Sequence, residues 1–306
     1  MSMYYHIKGI VPAVFTPMHP NGSLNLDLVE PMTDQLVSED IGGLYVCGST
    51  GEGPSLTREE RMAVAEAYIA AAAGRVPVIV QVGHNSITEA QTLAAHAQKV
   101  GADAISAVPP SYFKPSSLGN LVDILSDIMS GAPELPFYYY HIPRLTAVDL
   151  DAVKFLEVSA ERLPNLVGIK YSTFTVFELQ ACLAVENGHY NILFGSDEML
   201  LSGLVTGAHG AVGSTYNFAA PLYNRIIAAF ERADIAEARR CQALSVEMTR
   251  RMFQHGVGNA PLKYAMKHIG FDCGPVRRPL VALTEEEESG LRQDLEEIGF
   301  FQWARQ

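Results

Sequence analysis

One lysine of the chain lies within an unusually apolar stretch. Lys170 ends the run 166–170 (LVGIK), and turn-forming residues bound this run on both sides, a pattern that predicts a buried strand. None of the other six lysines is embedded in such a run. Burial disfavours the ammonium form, so we expect Lys170 to have a lowered pKa and a neutral amine able to attack a carbonyl carbon. The alternative is a lysine at a strand end that pairs with a carboxylate.

A pair of hydroxyl residues follows another short apolar run. Ser49 and Thr50 stand between Gly48 and Gly51. Glycine lets the backbone approach a ligand closely, so the two hydroxyls and the nearby N–H groups could hold a carboxylate. An ordinary turn with a local side-chain cap is the alternative, and this segment by itself does not separate the two.

Tyrosines and acidic residues end two further runs. Side chains alternate along a strand, so Tyr138 and Tyr140 face one side and Tyr139 faces the other. Tyr140 is nearest to the predicted strand end, which makes it the better candidate for a proton relay. Asp197 and Glu198 could bind sugar hydroxyls. Taken alone, however, they favour an acidic first turn that stabilises the following helix.

The elements that must position these residues alternate regularly along the first three-quarters of the chain. Each apolar run is followed by an amphipathic segment typical of a helix, and Thr57 with Glu60 forms a capping-box pattern before one of them. The predicted strands are 9–16, 42–48, 77–82, 104–108, 136–141, 166–170, 190–194 and 210–213.

Eight strand–helix units with little polar alternation predict an α/β fold, a (β/α)8 TIM barrel. A doubly wound sheet is the second candidate, but the glycine-rich segment 48–53 matches neither a phosphate loop nor dinucleotide-binding spacing. From residue 234 onward the pattern is helical. We therefore predict a catalytic barrel over 1–232 and a C-terminal helical extension over 233–306, packed on the barrel. In a barrel, chemistry occurs at the carboxyl ends of the strands.

Composition narrows the classes of partner. The 306 residues carry a formal net charge of −12, which argues against nucleic acid. No apolar run is long enough for a membrane helix, and no secretory signal pattern begins the chain. Four widely spaced cysteines without a CxxC pattern suggest free thiols, so we expect a cytoplasmic protein. The nine histidines show no metal-ligand spacing, and we expect no metal.

Four segments together resemble a known family. They are 48–52 (GSTGE), 140–143 (YHIP), 168–170 (GIK) and 213–217 (GSTYN). In this order and spacing they are similar to the pyruvate-dependent class I aldolases of the dihydrodipicolinate synthase / N-acetylneuraminate lyase family. The resemblance extends over nearly the whole chain, and the combination is more specific than any one segment. Segments 138–143 (YYYHIP) and 193–198 (LFGSDE) are similar to the lyases of vertebrate type.

The resemblance implies a mechanism and roles for individual residues. Lys170 would form a Schiff base with the keto carbon, and no other cofactor would be needed. Tyr140 would relay the proton, with Ser49 and Tyr112 completing a hydroxyl relay in which Tyr112 comes from a neighbouring subunit. Ser49 and Thr50 would hold the carboxylate. The family's sugar-contacting positions correspond to Ser172, Gly195, Asp197, Glu198 and Ser214. The implied partners are a keto sugar acid, pyruvate and further copies of the chain, commonly in a homotetramer.

Three positions bear on the substrate. Dihydrodipicolinate synthases carry an arginine two residues after the proline of the fifth-strand segment, whereas this chain has Leu145, which cannot bind a second carboxylate. Arg144 stands where the lyases usually have a small residue, and Ala147 stands where glycine is typical. If Arg144 faces solvent, its effect on the substrate is small. If it points inward, a substrate more acidic than neuraminate is favoured.

The implied activity is reversible cleavage of N-acetylneuraminate to N-acetylmannosamine and pyruvate. The main alternative is an aldolase or dehydratase on the same scaffold that acts on a shorter 2-keto-3-deoxy sugar acid. Dihydrodipicolinate synthase activity is a weaker alternative because of Leu145. A non-catalytic ligand-binding barrel would be expected to have lost a central residue, yet Lys170, Tyr140 and Ser49 are all present.

Overall fold

The computed structural model of the chain describes residues 5–304 and is a (β/α)8 barrel, as predicted. Its eight parallel strands are β1 Gly9–Pro12, β2 Leu44–Val46, β3 Val78–Gln81, β4 Ala104–Ala107, β5 Phe137–His141, β6 Leu166–Tyr171, β7 Asn191–Phe194 and β8 Gly210–Gly213. Neighbours in sequence are neighbours in the sheet, and β1 pairs with β8. A parallel bridge between Ala13 and Tyr45 joins β1 to β2 and closes the barrel.

Helices follow every strand and cover the outside of the sheet. They are α1 Val29–Ser38, α2 Arg58–Ala72, α3 Ile87–Lys99, α4 Leu118–Met129, α5 Pro143–Thr146, α6 Ala152–Ser159, α7 Val176–Ala184, α8 Leu200–Thr206 and α9 Tyr216–Glu231. The C-terminal extension consists of α10 Ile235–Met252, α11 Ala260–His268, α12 Glu285–Glu297 and α13 Phe300–Trp303. The extension predicted from the sequence is therefore present, while the domain boundary at residue 232 stays a prediction.

Local sequence signals explain where several helices begin. The capping box before α2 is confirmed: Thr57 Oγ1 accepts from the Glu60 N–H at 3.2 Å, and Glu60 Oε2 accepts from the Thr57 N–H at 2.9 Å. Ser117 caps α4 in the same way by accepting from the Asn120 N–H at 3.1 Å. These bonds satisfy N–H groups that have no partner inside a helix.

Helix α9 begins earlier than the sequence pattern indicates. The sequence pattern after β8 predicts a helix over 221–232, whereas α9 starts at Tyr216. Ala219 has φ −139°, which separates a first short turn from the rest of the helix. Pro221 thus lies in the first turn after this kink, where its missing N–H costs no intrahelical bond.

Two apolar layers hold the barrel together. One fills the barrel interior and contains Tyr45, Tyr138 and Tyr140, and the other lies between the strands and the helices and contains Tyr139. The predicted alternation of the three consecutive tyrosines is therefore confirmed. No helix in the part of the chain that the structure describes is both long and apolar enough to cross a membrane.

Close contact between β6 and β7 generates a test of the barrel packing. A Cβ at Gly168 would lie 1.8 Å from the backbone oxygen of Asn191 on β7. Gly168→Ala should therefore destabilise the fold by about 1–3 kcal/mol, as overpacked sites do, because two strands must separate. In Gly119→Ala on α4 the new methyl group meets no atom closer than 3.9 Å, so stability should change by less than about 1 kcal/mol. Thermal unfolding of both variants measures the difference, and equal midpoints would contradict the close β6–β7 packing.

Candidate active site

A cavity of about 750 Å³ opens at the carboxyl ends of the strands. Most of the predicted site residues line it, from five different strand ends: Ser49, Thr50, Tyr140, Lys170, Ser172, Gly195, Asp197, Glu198 and Ser214. Tyr112 does not line the cavity. It lies on the loop between β4 and α4, where its side chain is 77% exposed. Within one chain, the structure thus brings together all the predicted residues except Tyr112.

Lys170 points into the barrel from β6 and is only 4% exposed. Its Nζ lies 3.7 Å from the ring centroid of Tyr45 and 4.1 Å from that of Tyr140, its register partner on β5. Burial lowers the pKa of Lys170 to about 7, while the charge of Asp197 acts in the opposite direction. The nearby rings favour the ammonium as cation–π partners, but the loss of water outweighs this attraction. Near neutral pH, a substantial fraction of the amine is therefore unprotonated.

Tyr140 lies beside Lys170 at the base of the cavity. Burial raises the pKa of the Tyr140 phenol, whereas hydrogen bonding with the Ser49 and Ser172 hydroxyls and the positive charge of Arg144 act to lower it. The phenol therefore keeps its proton at neutral pH, with the hydroxyl groups of Ser49 and Ser172 nearby. A protonated phenol beside other hydroxyls can take part in a proton relay without carrying a charge itself.

The turn after β2 presents hydroxyls and backbone N–H groups to the cavity. Thr50 Oγ1 and Ser214 Oγ are 2.7 Å apart, which joins the ends of β2 and β8. Within residues 5–304, the N–H groups of Thr50 and Gly51 donate no hydrogen bond. Backbone donors left unpaired beside two hydroxyls suit an anionic ligand such as a carboxylate.

Asp197 is 7% exposed and is held across the gap between β7 and β8. Its Oδ2 accepts from both the N–H and the Oγ1 of Thr215, each at 2.7 Å. Burial, with Glu198 adding to it, raises the pKa of Asp197 to about 6. Asp197 does begin a short helical turn, the 3-10 helix Asp197–Met199, but it is buried rather than solvated. Its Oδ1 lies beside Gly213, where an added Cβ would be 2.0 Å away.

Hydrogen bonds behind Asp197 lead away from the cavity. Thr215 Oγ1 is 2.6 Å from the Tyr223 hydroxyl, which in turn is 2.7 Å from Ser245 Oγ on α10. Both bonds are buried, so they fix the Thr215 side chain that holds Asp197. The acid is thereby oriented by a network that extends into the C-terminal helices.

Ser172 and Gly195 meet at the ends of β6 and β7. The Ser172 N–H donates to the His141 carbonyl at 2.9 Å, and the Gly195 N–H donates to the Tyr171 carbonyl at 2.8 Å. A Cβ at Gly195 would lie 2.0 Å from Ser172 Oγ. Glycine at position 195 therefore leaves the space that the Ser172 hydroxyl needs to face the cavity.

Several cavity residues were not identified from the sequence. The C-terminal extension contributes Thr249 from α10, Phe253 directly after α10, and Asn259 just before α11. These residues reach the cavity only through tertiary packing, and the glycines of segment 256–258 were the sole local sign of a special turn there. Arg144 is exposed and also lines the cavity wall. It therefore lies between the two alternatives given for it above, a side chain that faces solvent and one that points into the site.

Tyr112 is part of an exposed aromatic pair. Its ring packs edge-on against Phe113, with centroids 4.9 Å apart, and Phe113 is 84% exposed. The Asn85 side chain fixes the loop by accepting from the N–H groups of Ser111 and Tyr112 at 2.9 and 3.2 Å. Two adjacent exposed aromatic rings on a fixed loop are typical of a contact surface.

No group of three or more histidine, cysteine, aspartate or glutamate side chains is placed to hold a metal ion in the described range 5–304.

The fold and the site together define a barrel protein with a buried, partly neutral lysine amine beside a tyrosine, and with a turn that presents two hydroxyls and two unpaired N–H groups to the cavity. A model of the dihydrodipicolinate synthetase family matches residues 6–298, which is nearly the whole chain. The chain belongs to this family.

Individual relatives are similar over almost their full lengths. N-acetylneuraminate lyase A of Xenopus laevis is 42% identical over 277 residues, which cover 90% of each chain. The solved structure of Proteus mirabilis N-acetylneuraminate lyase superposes with a TM-score of 0.93 at 36% identity, covering 97% of this chain and 100% of that one. A Ruminococcus gnavus sialic acid aldolase, solved as a catalytic lysine mutant, gives 0.92 at 31% identity and covers 98% of both chains.

The lowered pKa of Lys170 leads to a pH prediction that requires no substrate. Competitive acetylation with a trace of acetic anhydride labels only neutral amines. The labelling rate of Lys170 should rise through a midpoint near pH 7, because below that pH the amine is protonated. Peptide mass spectrometry reports the rate, with the exposed Lys154 of α6 as an internal reference. A Lys170 midpoint near pH 10 would show that its ammonium is not desolvated.

Proposed function

We propose that this protein is a Schiff-base aldolase that reversibly cleaves N-acetylneuraminate to N-acetylmannosamine and pyruvate. The observation that carries the proposal is the Lys170 amine, buried next to Tyr140 at the base of a cavity large enough for a sugar acid. The similarity to proteins named N-acetylneuraminate lyase supports the choice of substrate. The description of one similar structure as a catalytic lysine mutant supports the covalent step.

The reaction follows from the chemistry of the amine. Neutral Lys170 adds to the keto carbon, and loss of water gives a protonated Schiff base. The iminium accepts the electron pair of the breaking carbon–carbon bond, while the hydroxyl proton of the departing sugar passes to the Tyr140 relay. The remaining enamine takes up a proton on carbon, and addition of water releases pyruvate and the free lysine. The scheme uses the Lys170 side chain and no cofactor.

Two groups of cavity residues suit two parts of the substrate. Ser49 and Thr50 after β2 would bind the carboxylate, with unpaired N–H groups beside their hydroxyls. Asp197 and Glu198 after β7 would accept hydrogen bonds from sugar hydroxyls. A polyhydroxyl chain fits this acidic wall, whereas a phosphate or a second carboxylate there would be repelled. The remaining sugar contacts are proposed for Ser172, Gly195 and Ser214.

Tyr112 is proposed to act on a neighbouring subunit, where it would complete the relay of Tyr140 and Ser49. Its exposure beside Phe113, outside the cavity of its own chain, supports this arrangement. The arrangement requires at least a dimer, and we propose the homotetramer common in the family. We further propose a cytoplasmic protein with a catalytic barrel over 1–232 and a helical extension over 233–306.

Arg144 supports one alternative substrate class. Arg144 lines the cavity wall. A guanidinium there would favour a sugar acid more acidic than neuraminate. A shorter 2-keto-3-deoxy sugar acid is the other alternative, and it would use the same lysine chemistry.

Steady-state turnover separates the two substrates. We expect kcat/KM for N-acetylneuraminate to exceed that for 2-keto-3-deoxy sugar acids of six carbons, measured as pyruvate release. Lys170→Ala should abolish release with every substrate, since among residues 5–304 no other lysine lines the cavity. A preference for the six-carbon acids would discard neuraminate, and retained turnover in Lys170→Ala would discard the Schiff base.

The alternation of the tyrosines on β5 provides a matched pair of variants. Tyr140→Phe should lower kcat for N-acetylneuraminate by about 10²–10⁴-fold, the range expected for loss of a proton relay, with a much smaller change in KM. Tyr139→Phe removes the hydroxyl that faces the helices and should change kcat far less. Equal losses in both variants would show that Tyr140 is not the relay.

A further inference from the structure

A buried ion pair lies directly behind the turn that is proposed to bind the carboxylate. Lys263 Nζ on α11 is 2.7 Å from Glu52 Oε1, and the two side chains are 4% and 0% exposed. Neither residue lines the cavity or enters the mechanism above. Removing two charges from water is costly, so such a pair is weak as a source of stability alone. Its position suggests a different role.

Asn259 contacts the same turn from the residue before α11. Asparagine at this position usually caps the helix with its side chain, but the Asn259 side chain makes no capping bond. Instead, its Nδ2 donates to the carbonyl oxygens of Ser49 at 3.0 Å and Thr50 at 3.2 Å. Asn259 and Lys263 are four residues apart, so both side chains leave the same face of the helix.

These two carbonyls control the orientation of the N–H groups that face the ligand. The Ser49 carbonyl shares a rigid peptide plane with the Thr50 N–H, and the Thr50 carbonyl shares one with the Gly51 N–H. In a trans peptide the carbonyl and the N–H point in opposite directions. Asn259 therefore directs the Thr50 and Gly51 N–H groups away from α11, and both are unpaired within residues 5–304.

Contacts of Glu52 also fix the end of the turn that follows Gly51. Glu52 has φ 54°, a left-handed conformation that non-glycine residues rarely adopt. Its second oxygen, Oε2, accepts from the Arg277 N–H at 2.7 Å. Besides its ion pair with Glu52, Lys263 donates a hydrogen bond to the Pro275 carbonyl at 2.8 Å, so the segment after α11 and the turn are joined through Lys263. An unfavourable backbone conformation of this kind persists only where its surroundings enforce it.

We propose that Asn259, Lys263 and Glu52 form a latch through which the C-terminal extension positions the carboxylate-binding N–H groups of the barrel. The latch acts on binding of the keto acid carboxylate rather than on the amine chemistry. This inference rests on the proposed function, because it assumes that pyruvate binds at the turn and reacts with Lys170.

The test compares two ketones that differ in the carboxylate. Schiff-base formation is followed by cyanoborohydride trapping and intact mass, with pyruvate or its methyl ester at increasing concentration. In the double variant Lys263→Met/Glu52→Gln, which removes both buried charges, the pyruvate concentration for half-maximal trapping should rise about tenfold, equal to about 1.4 kcal/mol. The value for methyl pyruvate should change less than twofold. Trapping at saturating pyruvate should be retained.

A second variant keeps the test decisive if the double variant does not fold. Asn259→Ser retains a good helix-capping residue but is too short to reach the two carbonyls, so it should give the same selective loss for pyruvate. Lys267→Met is the matched control, because Lys267 lies on the same helix in an exposed pair, 3.9 Å from Asp272. Lys267→Met should leave the half-maximal trapping concentrations of both ketones unchanged.

Three outcomes overturn the latch. They are an unchanged pyruvate response in Asn259→Ser, an equal loss for both ketones, and a selective loss in Lys267→Met. Absence of any adduct in the unmodified protein is a different result, since it would remove the proposed function itself. Circular dichroism and the thermal midpoint of each variant separate loss of positioning from loss of fold.

Discussion

The chemistry proposed for this site depends on the burial of one amine. Lys170 lies between two tyrosine rings, and a fall in its pKa from 10.5 to about 7 corresponds to roughly 5 kcal/mol acting against its ammonium form. A surface lysine would be protonated and unreactive. The barrel supplies this environment because the rings of Tyr45 on β2 and Tyr140 on β5 pack against Lys170, which is only 4% exposed. Conversely, the site tolerates the lysine because a neutral amine carries little desolvation cost.

Charge is distributed unevenly around this amine. Asp197 is the acid that opposes the lowering of the Lys170 pKa, and its own pKa is raised to about 6 by burial. Each group therefore limits the shift of the other, and both titrate close to neutral pH. The turn that we propose binds the carboxylate is separate from this pair and presents N–H groups and hydroxyls. The carboxylate and the sugar hydroxyls of the proposed substrate would thus be bound by different groups. Hydrogen-bond donors would bind the carboxylate, and hydrogen-bond acceptors would bind the hydroxyls.

The strands and Lys170 could be predicted from the sequence because they depend on the local pattern of apolar residues. The eight apolar runs all contain strands because a parallel sheet buried on both faces requires nearly continuous apolar sequence. Lys170 stood out for the same reason, as a charged residue within such a run. Residues contributed by long-range packing could not be predicted this way. Asn259 reaches the turn 210 positions earlier in the chain, and the Ala219 kink in α9 left no pattern in the hydrophobic spacing.

The most direct test of the account is to identify the atom that carries the intermediate. Cyanoborohydride reduction with N-acetylneuraminate as the only keto acid, followed by peptide mass spectrometry, locates the trapped carbon skeleton. We predict a three-carbon, pyruvate-derived adduct on Lys170, because the enamine left by cleavage remains attached to that amine. An adduct on any other lysine, or an uncleaved sugar acid on Lys170, would contradict it.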